Sequence, residues 1–387
     1  QGSKVTNWLH PRRRAACFIA HVLHKARASR FIKKVLTYYS LFLLVREDSM
    51  FTIESFCNLV WGTSYSKVLQ KVSKDDYKEF ELPKKDGTRT INYLEKDSEL
   101  WELQRRLLDN YLIKQDLPVC VKGFKKGESY KSFLSEHIGA EFYLRIDIAS
   151  FFPSISDSCI KNELSNLLTC DSDDGKDKLL DLICDIVTLE DKLPQGACTS
   201  PTVSNLVMAR IDQRITKYCQ VFNIRYTRYA DDLLFSSRIF NFAEKKWFIK
   251  KIKYILSSQK LKLNYSKIKF GQKELVLNGY VISDREIRLS RNRLSDIRRI
   301  VKFSKENHHL IDQFGPEKFI LEANKLPLKY RNLNVYPFGT VFQFVQYMCG
   351  YRAFLISMTN NNYTLTPFQK ELQRLIRRIE AQITRLI

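Results

Sequence analysis

The stretch that decides the fold reads IRYTRYADDLLFS, residues 224–236. Apolar and β-prone residues flank the adjacent acids Asp231 and Asp232, so the pattern predicts two strands that meet at a tight turn with both carboxylates at its tip. Like charges held this close repel each other or raise a pKa unless a cation binds them. A divalent metal ion is the usual answer, although a lone Asp-Asp pair is more often a solvated turn.

A third acid closes an apolar run upstream. Residues 142–152 read FYLRIDIASFF, and Asp147 ends a segment typical of a strand buried on both faces. A carboxylate in that position is either half of a structural ion pair or a metal ligand. Together with the later turn it gives three carboxylates, the minimum set for two Mg²⁺ ions roughly 3.5–4 Å apart that drive an in-line phosphoryl displacement. We therefore expect two Mg²⁺ ions, with Mn²⁺ as an alternative.

Three motifs in this order and spacing resemble the palm of reverse transcriptases of the bacterial retron and group II intron branch. They are Asp147 with Phe151-Phe152, the segment QGACTSPTVSN at 195–205, and Tyr229-Ala230-Asp231-Asp232. The resemblance runs from about residue 82 to residue 282 and implies an α+β, right-hand polymerase fold. It implies the following divisions: a basic helical N-terminal extension (1–55), fingers (56–140), a palm with the catalytic acids (141–283) and a helical thumb (284–387).

A basic hairpin is predicted at residues 80–91, FELPKKDGTRTI, where two strand-like arms flank an Asp-Gly turn. Such a hairpin can close over a triphosphate, because lysine supplies a point charge and arginine a planar fork. Basic hairpins are common, so the residues alone leave this open. The resemblance implies that Lys84 and Arg89 contact the nucleotide triphosphate.

The resemblance also implies roles for individual palm residues. Asp147, Asp231, Asp232 and Lys267 would be catalytic, with Lys267 protonating the pyrophosphate leaving group unless it is an ordinary surface lysine. The metal ligands would be the three acids and the carbonyl of Ile148. Further nucleotide contacts would come from Ala149, Ser150, Phe151, Phe152 and Gln195, and primer or template contacts from Gly196, Tyr229 and Gly279.

Phe152 is the residue that the resemblance links to sugar selection. A bulky ring beneath the ribose excludes a 2′-hydroxyl, so phenylalanine there favours a DNA product. An ordinary core aromatic is the alternative, and it fits Phe151 equally well. In the block FLSEH, residues 133–137, only His137 of the family pattern remains, and we interpret it as a capping or RNA-contacting residue.

The composition favours a nucleic-acid partner. Across 387 residues, 64 Lys and Arg against 42 Asp and Glu give a net charge of +22, which indicates a polyanion, nucleic acid before membrane. The nine cysteines form no C-x-x-C pair, so we interpret them as reduced thiols of a cytoplasmic protein.

The function predicted from these features is RNA-directed DNA synthesis. The enzyme would copy a structured non-coding RNA with deoxynucleotides into a DNA/RNA hybrid, in a retron or a related antiphage defence system that includes an effector protein. The altered blocks FLSEH and LNG (277–279) lean toward the related defence-associated enzymes. An untemplated or protein-primed DNA polymerase is the alternative, and an RNA-binding scaffold with a dead palm belongs to a different class. Homo-oligomer formation is left open.

Overall fold

A computed structural model describes residues 51–84, 87–359 and 365–387. The predicted N-terminal extension thus lies outside the described residues, apart from its last positions, 51–55. Within the part that is described, no helix is both long and apolar enough to cross a membrane.

The first elements form a small group of helices and a hairpin that is a two-stranded sheet of its own. In chain order they are α1 (Ile53–Trp61), α2 (Tyr65–Gln70), β1 (Tyr77–Lys84), β2 (Gly87–Leu94), α3 (Glu99–Asn110) and α4 (Tyr130–Ser135). The hairpin prediction is confirmed, because β1 and β2 pair antiparallel with Lys84 opposite Gly87. A capping box at Thr52 fixes the start of α1, since its hydroxyl accepts the amide hydrogen bond of Ser55.

The central part is a seven-stranded antiparallel sheet, and the helices that lie between its strands in sequence pack on one face of it. Its elements are β3 (Phe142–Asp147), α5 (Asp157–Leu164), α6 (Asp173–Val187), α7 (Ser200–Val221), β4 (Arg225–Tyr229), β5 (Asp232–Ser237), α8 (Trp247–Ser257), β6 (Lys269–Gln272), β7 (Glu274–Leu277), β8 (Tyr280–Ser283) and β9 (Ile287–Leu289). The spatial strand order is β4-β5-β3-β6-β7-β8-β9. Proline at position 201 suits the first turn of α7, where the sequence predicts a helix start.

The remaining chain is helical. It contains α9 (Arg291–Asn307), α10 (His309–Phe314), α11 (Pro316–Ala323), α12 (Val341–Met358) and α13 (Pro367–Leu386). These helices agree with the helical character predicted for residues 284–387. α13 buries one stripe that includes Leu372, Leu375 and Ile379, and its other side carries the charges.

Two hydrophobic cores lie on opposite faces of the sheet. Leu144 of β3 and Phe235 of β5 face the first core, with α1, α3, α7 and α8. Tyr143 and Leu234, one position away on the same strands, face the second core, with α4, α9, α12 and α13. This alternation follows from the two-residue period of a strand, and it explains why β5 is buried along its whole length and β3 along most of it.

Candidate active site

The three predicted acids come together through strand register. Asp147, the last residue of β3, lies directly opposite Asp232, the first residue of β5. β4 and β5 are joined by the two-residue turn Ala230-Asp231, as the sequence predicts. The amide of Ile148 donates to the carbonyl of Asp231 at 3.0 Å, which ties the end of β3 to the turn.

Arg145 is a component of the site that sequence reasoning missed. It lies two residues before Asp147, so the strand period puts both side chains on one face. Its Nε donates to Asp232 Oδ1 at 2.7 Å and its Nη2 to Asp147 Oδ2 at 3.0 Å, with a second contact from Nη2 to Asp232. Lys267 Nζ lies 3.3 Å from Asp147 Oδ1. The only sequence signal for Arg145 is a cation inside an otherwise apolar strand.

The electrostatics of the acids suit a hard cation. Burial raises the pKa of Asp231, with the charge of Asp147 contributing, and burial raises the pKa of Asp232 to about 6 despite the opposing charge of Arg145. Asp147 Oδ1 is buried, and its one charged neighbour among the described residues is the Lys267 ammonium at 3.3 Å, which does not form a regular hydrogen bond with it. Clustered carboxylate oxygens are the donors that Mg²⁺ prefers. Among the described residues no three acid, His or Cys side chains are arranged as they stand so that they could hold a metal ion, and Arg145 bridges Asp147 and Asp232.

A cavity of about 810 Å³ opens in front of the acids. It is large enough for a nucleotide, and most of the predicted site residues line it. Those are Arg89, Asp147, Ile148, Ser150, Phe151, Phe152, Gln195, Gly196, Tyr229, Asp231, Asp232 and Lys267. Ala149 and Gly279 are absent from the lining, and Lys84 is placed by its backbone alone, at the end of β1.

The backbone amides after Asp147 are only partly free. The amide of Ile148 is bonded to Asp231, and the amide of Ala149 donates to the carbonyl of Lys262 at 2.9 Å. These two amides are therefore not free to bind the phosphates of a nucleotide, and any contact that Ala149 makes with the nucleotide must use another group. Ser150 has a left-handed backbone, with φ of 45°, which turns the chain toward the cavity.

Two of the predicted glycines are required by packing within the protein itself. A Cβ on Gly196 would lie 2.4 Å from the carbonyl oxygen of Asn92, so the close approach is to β2 of the hairpin. A Cβ on Gly279 would lie 2.6 Å from Nε of Arg293 in α9. Both glycines also have positive φ, which L side chains rarely adopt.

A buried polar network holds the Asp231 turn in place. Arg228 and Asp212 form an ion pair at 2.7 Å, and both side chains are completely buried. Arg228 Nη1 also donates to the carbonyl of Ala230 at 3.1 Å and to Asn205 at 3.0 Å. Ala230 has a left-handed backbone, with φ of 55°, and a Cβ on Gly123 would meet its amide at 2.6 Å. The network therefore holds the left-handed turn at Ala230 from the buried side of the hairpin.

His137 is neither a cap nor an RNA contact, because it is completely buried. Its Nδ1 lies 2.7 Å from Ser236 Oγ on β5, and its Nε2 lies 2.8 Å from Thr227 Oγ1 on β4. Thr227 donates its only hydroxyl proton to the carbonyl of Phe133, so it accepts from Nε2. Burial lowers the pKa of His137 to about 3 and keeps the ring neutral.

The site defines a class of protein. Carboxylates at the ends of adjacent strands, facing a nucleotide-sized cavity beneath a basic hairpin, are typical of a metal-dependent nucleotidyl-transferring polymerase. Residues 82–282 match the family model described as reverse transcriptase (RNA-dependent DNA polymerase). The chain therefore belongs to the reverse transcriptase family. It is an RNA-directed DNA polymerase with the α+β, right-hand fold, and the family implies a divalent metal, an RNA template and a DNA product.

Similar proteins point to the retron type. The chain is 28% identical over 275 residues to the Retron Ec86 reverse transcriptase of Escherichia coli, covering 66% of this chain and 82% of that protein. It is 31% identical over 173 residues to the Retron Mx162 reverse transcriptase of Myxococcus xanthus, covering 41% of this chain and 35% of that protein. These relatives confirm the retron-type prediction and favour templated synthesis over the untemplated or protein-primed alternative.

A telomerase is among the similar solved structures. The apo telomerase of Candida tropicalis, truncated from its C-terminal domain, aligns with a TM-score of 0.42 and 14% identity, covering 57% of this chain and 56% of that chain.

Proposed function

We propose that the enzyme copies a structured non-coding RNA into complementary DNA by two-metal nucleotidyl transfer, with Asp147, Asp231 and Asp232 as the metal ligands. The observation that carries the proposal is the strand register, which sets Asp147 opposite Asp232 at the floor of the cavity. The carbonyl of Ile148, which accepts no hydrogen bond from the described residues, completes the proposed ligand set.

The chain's own groups would prepare the site for the reaction. Bound divalent metal lowers the pKa of the attacking 3′-hydroxyl and neutralises the pyrophosphate. Arg145 holds Asp147 and Asp232 together, and its release frees their oxygens. Lys267 would give a proton to the leaving pyrophosphate, a role supported by its ion pair with Asp147 and by a side chain that is more than half exposed.

The incoming nucleotide would lie between the hairpin and the palm. Arg89 and Gln195 line the cavity on the hairpin side, with Lys84 proposed as a further triphosphate contact, and Ser150 and Phe151 line it beside the acids. Phe152 would lie beneath the sugar and exclude a 2′-hydroxyl.

The nucleic-acid strands would follow the cavity outward. Tyr229, at the end of β4, is proposed to support the primer end, and Gly196 to lie beside the template base. Gly279 would act indirectly, by allowing β8 to pack against Arg293 at the start of α9. The helices from 284 onward would grip the duplex through its phosphates, as a thumb.

The wider setting is also a proposal. A retron or related antiphage defence system, with an effector protein, agrees with the retron enzymes to which the chain is similar. A cytoplasmic location is supported by the eight cysteines in the described residues, all of which are free thiols. The divisions into extension, fingers, palm and thumb keep the bounds predicted from sequence.

The test is the double variant Asp231→Asn with Asp232→Asn. Loss of metal ligands removes several kcal/mol of transition-state stabilisation, so we expect primer extension to fall by about a thousandfold or more while RNA binding is kept. Binding of Mn²⁺, followed by paramagnetic resonance, should weaken in parallel. The matched control is Asp174→Asn with Asp181→Asn on α6, where each acid only pairs with an exposed lysine. Normal synthesis by the 231/232 variant would refute the site.

A further inference from the structure

A lysine surface covers the outer side of α8 and the chain that follows it. From residue 245 to residue 273 the sequence has ten lysines and no acidic residue. Lys267 pairs with Asp147. No other lysine of this stretch forms an ion pair with an acid among the described residues. The seven that precede β6 define the lysine surface: Lys245, Lys246, Lys250, Lys251, Lys253, Lys260 and Lys262. Lys269 is left out because it pairs with Arg145 in the sheet and therefore lies on the face opposite α8.

The charges of this surface do not stabilise α8. Lys246 occupies the N-cap and no acid lies in the first turn, although a helix N-terminus favours negative charge. Lys246 and Lys250 are four residues apart, and Lys250 and Lys253 three apart, so like charges repel along one face. An electrostatic cost that the folded chain leaves unbalanced is removed when a polyanion binds.

Exposed aromatic rings are interleaved with these cations. Tyr254 is 65% exposed and Tyr265 is 59% exposed. Lys251 Nζ lies 5.1 Å from the ring centre of Tyr254, and Lys253 Nζ lies 5.9 Å from that of Tyr265. Cation–π contacts hold these rings in place at the surface. Rings on which bases stack, beside cations that bind phosphates, are characteristic of surfaces that bind single-stranded nucleic acid.

The lysine surface lies outside the nucleotide cavity, but one end of it adjoins the cavity. Phe248, Ile252 and Leu256 of α8 are buried in the first core, so the lysines of α8 face outward on that side of the sheet. The apolar side of α8 is thus already used, and the helix cannot insert into a lipid surface. At its far end the surface reaches the single helical turn Tyr265–Lys267, whose last residue lines the cavity.

We infer that the lysine surface binds the RNA strand beyond the segment held in the catalytic cavity, through phosphate contacts and base stacking. The inference rests on the proposed function, because it assigns a second contact for the RNA that is copied. It accounts for a stretch of concentrated positive charge that catalysis does not use.

The test replaces Lys246, Lys250 and Lys253 with glutamine. The matched control makes the same substitution at Lys71, Lys161 and Lys178, each of which is ion-paired with an acid, so both variants lose equal net charge. Two fluorescent primer–templates are compared by anisotropy across a salt titration. One has a duplex that fills only the cleft, and the other carries in addition a long single-stranded RNA extension.

We expect the Lys246/250/253 variant to bind the extended RNA roughly tenfold or more weakly, with a salt slope reduced by about 2. Its binding and extension of the short primer–template should match the control. Equal affinity of the two variants for the extended RNA would overturn the inference. Binding to vesicles of anionic phospholipid is measured in parallel, and a loss of affinity for the vesicles but not for the RNA would also overturn it. Failure of the unmodified enzyme to extend either primer would instead refute the proposed function.

Discussion

At the scale of single residues, position relative to the cavity separates side chains that look alike in sequence. Phe151 is 4% exposed and belongs to the first core, although its edge reaches the cavity. Phe152 is half-buried, and the centre of its ring lies 6.2 Å from that of Phe124, which also lines the cavity. The sequence could not choose between the two rings, because adjacent aromatics satisfy a core pattern and a gate pattern equally.

The gate is tested with Phe152→Ala. Removing the ring opens space for a 2′-hydroxyl, so we expect the ratio of ribonucleotide to deoxynucleotide incorporation, measured as kcat/KM, to rise by about 10- to 200-fold, the range of one steric contact in a pocket. Phe270→Ala, which removes an exposed ring on β6 outside the cavity, is the control. An unchanged ratio in the Phe152 variant would show that another group selects the sugar.

At the scale of elements, the β4–β5 hairpin was the most predictable part of the chain. Its alternating apolar flanks and its Ala230-Asp231 turn follow directly from local sequence rules. What holds it was not predictable, because Asp212, Gly123 and His137 come from α7 and from loops far away in sequence. The same limit applies to Gly196, where the glycine was identified correctly but its crowding partner, Asn92, was not.

His137, which forms hydrogen bonds to both strands of this hairpin, should make the stability of the protein depend on pH. His137 has a pKa of about 3 in the folded protein, whereas an exposed histidine has a pKa of about 6.5, so the unfolded chain binds the extra proton between these values. We therefore expect the contribution of His137 to the free energy of unfolding to be constant above about pH 6.5 and to fall below it, by up to about 1.4 kcal/mol per pH unit.

Urea denaturation across a pH series measures this effect. His137→Gln should be less stable at pH 8 but should lose the histidine-dependent slope below pH 6.5. His309→Gln, at an exposed position of α10, should keep the slope of the unmodified protein. An identical slope in all three proteins would mean that His137 does not cause the acid sensitivity.

At the scale of the whole molecule, the far end of the sheet and the C-terminal helices share the second core, and the turn at Gly279 meets the start of α9. Arg293 lies over the rings of Tyr280, Tyr330 and Phe354, with centroid distances of 5.4, 4.6 and 5.0 Å, and Gly279 supplies the space behind it. Sequence motifs gave the palm and the order of its parts. The motifs did not predict how the palm and the thumb contact each other, because those contacts are made by residues outside any motif.

Gly279→Ala tests this junction. A methyl group there would meet Arg293 in a backbone with φ of +84°, so we expect the free energy of unfolding to fall by roughly 1–3 kcal/mol. The DNA made per binding event should shorten as the thumb loosens. Gly350→Ala within α12, where nothing lies within 4 Å of the added carbon, should raise stability by about 0.5–1 kcal/mol instead. Equal stability of both variants would contradict the packing described for Arg293.

The bridge that Arg145 makes between Asp147 and Asp232 affects the order in which the enzyme binds nucleic acid and metal. With Lys267 also paired to Asp147, two positive side chains accompany three carboxylates, which leaves a formal charge of only −1 at the centre. An approaching RNA, itself a polyanion, thus meets little repulsion before any metal arrives. The order of loading that this charge balance permits is nucleic acid first and metal second.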